Sequence, residues 1–214
     1  MSANHAAFNL IFRFVENYIS PIAGRTSSQR HVMAIRDGFI SAMPFMIVGS
    51  FLLVFAYPPF SPDTTWGFAR AWLDLAKEFE GRILTPFDMT MGIMSIYICA
   101  AISYNLGKHY EKSNQLDPFM CAMLSIMAFL LIAAPKTNGT LPVDSLGGTG
   151  IFTAILVAIY CVEMMRFLKA HNIGIRLPDQ VPPMIKNSFD LLIPVLVVVL
   201  TLYPLSLFIQ HHFD

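Results

Sequence analysis

The chain has 214 residues, of which 55% are hydrophobic and only 13% are charged, and its formal net charge at pH 7 is zero. A soluble domain usually carries about a quarter charged residues. This composition therefore argues against an ordinary soluble domain and indicates a lipid bilayer as the surroundings of the apolar side chains. The balanced charge also argues against a nucleic-acid partner, which would need a basic surface.

The first 30 residues predict an amphipathic segment ahead of the membrane region. Apolar residues recur there at helical spacing, with Asn9, Arg13 and Glu16 between them. This pattern is typical of a helix that lies in the membrane interface or packs against a helix bundle. The apolar positions are Phe8, Ile11, Phe12, Val15, Ile19 and Ile22.

Apolar runs between residues 31 and 210 predict about five transmembrane helices. Each run approaches the ~20 residues that an α-helix needs to cross a hydrocarbon core of ~30 Å. The predicted spans are Phe39–Tyr57, Met89–Leu106, Pro118–Ala134, Gly150–Leu168 and Leu191–Ile209. The sequence therefore predicts an all-α integral membrane protein.

A second amphipathic helix is predicted between the first and second spans. Phe68, Trp72, Ala76, Phe79 and Ile83 fall on one helical face, and charged residues fall on the other. Tryptophan favours the headgroup layer of a bilayer, which supports an interfacial helix on the extracytoplasmic side. A helix packed on the end of the bundle would show the same pattern.

The distribution of basic residues predicts the orientation in the membrane. If the N-terminus is cytoplasmic, that side receives ten of the 14 Lys and Arg residues, and the other side receives Arg70, Lys77, Arg82 and Lys136. Cytoplasmic loops carry the excess of positive charge in membrane proteins. We therefore expect a cytoplasmic N-terminus and, after five spans, an extracytoplasmic C-terminus. The ten are Arg13, Arg25, Arg30, Arg36, Lys108, Lys112, Arg166, Lys169, Arg176 and Lys186.

Residue chemistry alone predicts no catalytic site, no metal site and no cofactor. Cys99, Cys121 and Cys161 fall inside apolar runs without metal-ligand spacing, and we interpret them as buried small hydrophobic residues. Glu163 is an ionisable residue within an apolar run, and Arg166 follows at i+3. We predict a structural ion pair between them near the cytoplasmic end of the fourth span.

Three stretches resemble a known family. They are "RHVMAIRDGFISAMPFMIVGSFLLVF" (Arg30–Phe55), "GIMSIYICAAISYNLG" (Gly92–Gly107) and "IRLPDQVPPMIKNSFDLLIP" (Ile175–Pro194). They look like the N-terminal half of enzyme IIC, the membrane component of bacterial phosphoenolpyruvate-dependent sugar phosphotransferase systems. The similarity is strongest to the lactose, cellobiose and diacetylchitobiose branch, and it runs from about residue 30 to the end of the chain.

The resemblance implies that residues 31–210 form the scaffold and dimer-interface domain of an enzyme IIC fold. The sugar-carrying C-terminal domain of the family has no counterpart in this chain, so we expect that domain to be absent and carry over no sugar-site residue. A disaccharide would bind only together with that second half. Family members are sugar permeases that work with a cytoplasmic IIB phosphocarrier, so the resemblance also implies a IIB partner and a homodimer in the bacterial cytoplasmic membrane.

The proline-rich loop before the fifth span can be interpreted in two ways. Proline fixes φ and biases the preceding residue away from helix, so the loop is stiff and serves as a connector. The family resemblance implies instead a cytoplasmic loop near the sugar site where IIB docks. Its candidate residues are Arg176, Pro178, Asp179, Pro182 and Pro183.

Two functions remain open from the sequence. The first is a permease component for cellobiose-like or chitobiose-like disaccharides, truncated to its scaffold half. The second is a non-transporting membrane dimerisation module or the remnant of a broken permease gene. An unrelated small channel or membrane enzyme is disfavoured because the spans contain no intramembrane pair of polar residues.

Overall fold

The computed structural model describes residues 28–114, 116–134, 142–175, 182, 185 and 189–213. These residues form α-helices and one short 3₁₀ turn at Gly148–Gly150, and no strand occurs among them. The all-α class predicted from the sequence is therefore confirmed. The helices are α1 (Arg30–Ala56), α2 (Gly67–Asp88), α3 (Met94–Asn114), α4 (Pro118–Ala133), α5 (Ile151–Ala170) and α6 (Leu192–Phe213). The predicted amphipathic helix over Phe8–Ile22 lies outside the described residues.

Each predicted span overlaps one helix, but the boundaries differ where polar residues continue the helix. Helix α1 already begins at Arg30, and α3 begins at Met94 and runs past Leu106 to Asn114. A hydropathy pattern detects only the apolar part of a helix, whereas the backbone hydrogen bonds continue into polar sequence. Helix α4 starts as predicted at Pro118, because the Asp117 carboxylate accepts hydrogen bonds from the amides of Phe119 and Met120.

Two of the described helical segments are long and apolar enough to cross a membrane by length and composition. They are Arg30–Ala56 and Gly148–Ala170. In the first, only 17% of the most apolar 18-residue stretch is buried. Pro118–Ala133 and Leu192–Phe208 are shorter apolar helices. The number of helices that cross the membrane remains a prediction.

Helix α3 lies at the centre of the described bundle and packs against α1, α4 and α5. Its buried face repeats every four residues through Ile98, Ile102, Leu106 and Tyr110. The three cysteines are free and buried, as the sequence predicted. Helix α6 packs on α4 and α5 at the edge of the bundle.

Small residues bring α1 close to α3. The buried residues of α1 are Ala34, Gly38, Ala42, Gly49 and Ala56. A Cβ atom added at Gly38 would lie 2.9 Å from the backbone nitrogen of Ile102, so the two backbones approach too closely for a side chain there. Small interface residues permit this kind of approach between membrane helices. As a result, many bulky apolar side chains of α1 are exposed, whereas Ile35, Phe39 and Met46 are partly buried against the core.

Helix α2 packs against α1 through Ala69 and Ala76, which are buried. The Trp72 indole donates a hydrogen bond of 3.2 Å to the carbonyl oxygen of Phe55, and its ring lies 5.6 Å from the Phe55 ring. The amphipathic helix predicted from the sequence is thus present, and its aromatic end is attached to the end of α1.

We predict that Gly38→Ala destabilises the fold and that Gly81→Ala does not. The new methyl group at position 38 meets the α3 backbone, and overpacking of this kind costs about 1–3 kcal/mol. Gly81 lies inside α2 with no atom within 4 Å of an added Cβ, so alanine there should stabilise the helix by about 0.5–1 kcal/mol. The free energy of unfolding in mixed detergent micelles measures both. Equal values for the two variants would contradict the close approach of α1 and α3.

Candidate functional site

A cluster of polar side chains joins three helices at one end of the bundle. The Glu163 carboxylate of α5 is its centre. One oxygen, Oε1, lies 2.9 Å from Nε2 of His31 on α1 and accepts a hydrogen bond of 2.8 Å from the Tyr110 hydroxyl on α3. The other oxygen, Oε2, lies 3.1 Å from Nε of Arg166. The first turn of α1, the end of α3 and the end of α5 therefore meet at one carboxylate.

Two guanidinium groups lie over the Tyr110 ring in the same cluster. The Cζ of Arg166 is 4.9 Å from the ring centroid and that of Arg30 is 5.4 Å from it. Arg166 Nη1 also donates a hydrogen bond of 3.0 Å to the Tyr110 hydroxyl. Tyr110 lies beyond Leu106, where the predicted span ends. The pKa of its phenol is raised, mainly because the group is desolvated by burial and also because it donates a hydrogen bond to Glu163. The tyrosine thus stays protonated and can act as a donor.

The placement of charge in the cluster agrees with the helix dipoles. The first turn of α1 contains no acidic residue, and Glu163 supplies a negative charge beside that positive helix end. Lys169 lies in the last turn of α5, where a cation is favourable. Since the Glu163 carboxylate is engaged by His31, Tyr110 and Arg166, we interpret it as a structural group and not as a general base.

The sequence indicated only the local part of this cluster. Arg166 follows Glu163 by three residues, which helical spacing reveals. His31 and Tyr110 are 132 and 53 residues away from Glu163 in the chain. The available signal for Tyr110 was its position on the four-residue repeat of the buried face of α3. No local pattern indicated His31.

A cleft of about 500 Å³ opens at the end of the bundle where α5 ends and α6 begins. Its walls include Ser113, Lys169, Asn172 and Asp190. Lys169 and Asp190 form an ion pair of 3.4 Å across the two helix ends. In the sequence, the proline-rich loop connects α5 to α6, so the cleft lies between the two helix ends that this loop joins.

Most residues of the predicted docking loop lie outside the described residues, namely Arg176, Pro178, Asp179 and Pro183. Pro182 is described and exposed, and its carbonyl oxygen accepts a hydrogen bond of 3.0 Å from the amide of Ile185. The role of the loop therefore remains a prediction. Within the described ranges, no group of three or more His, Cys, Asp or Glu residues could hold a metal ion.

A sequence profile of the phosphotransferase system EIIC family matches residues 36–213. The chain belongs to this family. The match covers the three stretches that resembled enzyme IIC almost completely, so that resemblance is confirmed. EIIC components are integral membrane proteins of the bacterial cell membrane, which agrees with the apolar composition of this chain.

Curated relatives of this EIIC chain include components named for several sugars. It is 35% identical to the cellobiose-specific EIIC component of Geobacillus stearothermophilus, over 87% of this chain and 43% of the relative. It is 32% identical to the oligo-beta-mannoside-specific EIIC component of Bacillus subtilis, over 86% of this chain and 41% of the relative. It is also 32% identical to the lactose-specific EIICB component of Streptococcus mutans, over 89% of this chain and 33% of the relative.

A solved structure shows the same fold. The crystal structure of the transporter ChbC, the IIC component of the N,N'-diacetylchitobiose-specific phosphotransferase system, matches with a TM-score of 0.76 and 33% sequence identity. The match covers 93% of this chain and 47% of the transporter. This EIIC chain therefore spans less than half the length of the relatives it matches.

We predict that Glu163→Gln lowers the free energy of unfolding by about 1–3 kcal/mol. The side-chain volume is kept, but the negative charge is lost, and one of the two acceptor oxygens is replaced by an NH2 donor. Unfolding in mixed micelles, followed by circular dichroism, measures the change. Glu78→Gln on α2 is the matched control, because Glu78 is exposed and outside the cluster. Equal stabilities of the two variants would show that the cluster contributes nothing to folding.

Proposed function

We propose that this EIIC chain forms the scaffold half of a sugar permease in a phosphotransferase system for cellobiose-like or chitobiose-like disaccharides. The observation that carries the proposal is the match to 47% of the diacetylchitobiose transporter at a TM-score of 0.76. The cellobiose-specific and oligo-beta-mannoside-specific relatives support the sugar class. In this proposal the sugar itself is held by the half of the permease that this chain does not span.

The proposed partner is a cytoplasmic IIB phosphocarrier, which would phosphorylate the sugar. A relative from Streptococcus mutans is named as an EIICB component, which supports a close association of IIB with this membrane component. We propose that IIB docks at the proline-rich loop, which in the sequence lies between Lys169 and Asp190, two residues of the cleft walls. The proposed docking residues are Arg176, Pro178, Asp179, Pro182 and Pro183. A stiff proline-rich segment limits the entropy lost when a partner binds.

The proposed orientation places the polar cluster on the cytoplasmic side. The ten cytoplasmic Lys and Arg residues against four on the other side support it. Five helices would cross the membrane, with the N-terminus inside and the C-terminus outside. The opposite end of the bundle carries α2, whose exposed surface supports an interfacial position. Phe68 and Leu75 are exposed on one side of it, while Arg70, Asp74 and Lys77 are exposed on another.

We also propose a homodimer in the membrane. The outward face of α1 exposes a row of large apolar side chains, among them Ile47, Phe51 and Val54, which are 52%, 65% and 47% exposed. Lipid or a second copy would cover this face. Association of the scaffold helices of two copies is what the family resemblance implies.

We predict that cells with this chain as their sole EIIC polypeptide do not accumulate phosphorylated cellobiose. Uptake of radiolabelled cellobiose, followed by separation of the phosphorylated sugar, measures this. Co-expression with the C-terminal half of the cellobiose-specific relative, together with IIB, is expected to restore accumulation. The C-terminal half without this chain is the matched control.

Two results would contradict the proposed function. Accumulation with this chain alone would place a sugar site within the 214 residues. Failure of the combined halves, with both present in the membrane, would favour a non-transporting membrane module over a permease component.

A further inference from the structure

A groove of about 390 Å³ lies between α1, α3 and α4 on the outer surface of the bundle. Its lining includes small residues from all three helices, namely Ala42, Ala100, Ala101 and Ala122. Because these side chains end at Cβ, they leave space between larger neighbours. The groove is thus formed by residue size and faces the surroundings of the bundle.

Aromatic rings form the walls of the groove. Phe45 of α1 and Tyr97 of α3 stack with their ring centroids 4.4 Å apart and their planes 8° from parallel. Tyr104, which lies two helical turns after Tyr97 in α3, is 45% exposed and also lines the groove. An apolar channel between aromatic walls accommodates a hydrocarbon chain better than a polar ligand.

Two side chains with hydrogen-bond donors follow Tyr97 and Ala101 along the same face of α3. Tyr104 lines the groove, and Lys108 is exposed one helical turn beyond the lining. Within the part of the chain that the structure describes, neither the Tyr104 hydroxyl nor the Lys108 ammonium group has a hydrogen-bond or ion-pair partner. Residues four apart in a helix share a face, so Lys108 lies one turn beyond Tyr104. Tyr104 lies in the last turn of the apolar run of α3, and Lys108 follows that run, where the headgroup layer would begin.

The α1 side of the groove adds no net charge. The Asp37 carboxylate is paired with Arg36 at 2.8 Å, and the Ser41 hydroxyl donates to the Asp37 carbonyl oxygen at 2.8 Å. Lys108 therefore gives this end of the groove a positive charge, which is complementary to a phosphate group.

We propose that the groove binds an anionic phospholipid. One acyl chain lies over the alanine floor between Tyr97 and Tyr104, and the headgroup phosphate accepts hydrogen bonds from the Tyr104 hydroxyl and the Lys108 ammonium group. Basic residues between membrane helices attract anionic headgroups in this way. A helix of a second copy would fill the apolar floor, but it would leave the Lys108 charge without a complementary group.

The test compares the thermal stability of the purified full chain with two lipids of identical acyl chains. Dioleoylphosphatidylglycerol is expected to raise the unfolding temperature more than dioleoylphosphatidylcholine, since a ligand that binds the folded state stabilises it. Inorganic phosphate alone should have no effect, because it lacks the acyl chain. Lys108→Gln and Tyr104→Phe should each remove at least half of the difference between the two lipids.

A second variant and a control complete the experiment. Ala101→Leu narrows the groove and should abolish the response to phosphatidylglycerol. Lys77→Gln removes the same charge from α2, at the opposite end of the bundle, and should keep the full response. The proposal is overturned if Lys108→Gln and Ala101→Leu respond as the unaltered chain does. It is also overturned if Ala101→Leu changes the oligomeric mass while the lipid difference persists, since a second copy would then occupy the groove.

Discussion

The close approach of α1 to α3 is the constraint on which the rest of the structure depends. At Gly38 there is no room for a side chain against the backbone of Ile102, so α1 rests on α3 through small residues. Two consequences follow from this contact. Many bulky residues of α1 are exposed, and the first turn of α1 lies beside the end of α5, where His31 contacts Glu163.

The two ends of the bundle differ in chemistry. One end contains the carboxylate cluster around Glu163 and the ion pair between Lys169 and Asp190. The other end contains aromatic rings around Trp72. Cytoplasmic loops of membrane proteins carry an excess of Lys and Arg, and indole rings are enriched at the membrane interfaces.

Most of the described helices could be predicted from the sequence, because apolar runs and helical spacing are local patterns. The apolar run from Pro118 predicted the start of α4, and the spacing of three residues between Glu163 and Arg166 predicted their ion pair. The contacts of His31 and Tyr110 with Glu163 could not be predicted, because tertiary packing brings together residues that are 132 and 53 positions apart in the chain, respectively. The groove beside Tyr104 was also missed, since its floor is made of alanines from three helices. The family was predictable because its motifs are continuous in sequence.

The central proposal is that the polar cluster around Glu163 lies at the cytoplasmic end of a membrane-embedded scaffold. Accessibility of single cysteines to a membrane-impermeant maleimide tests it most directly. The native cysteines are buried, and Gly67 and Gly174 have no atom within 4 Å of an added Cβ. We expect Gly67→Cys to be labelled in intact cells and Gly174→Cys to be labelled only after the membrane is permeabilised. Labelling of Gly174→Cys from outside, or of both positions from one side, would contradict the account.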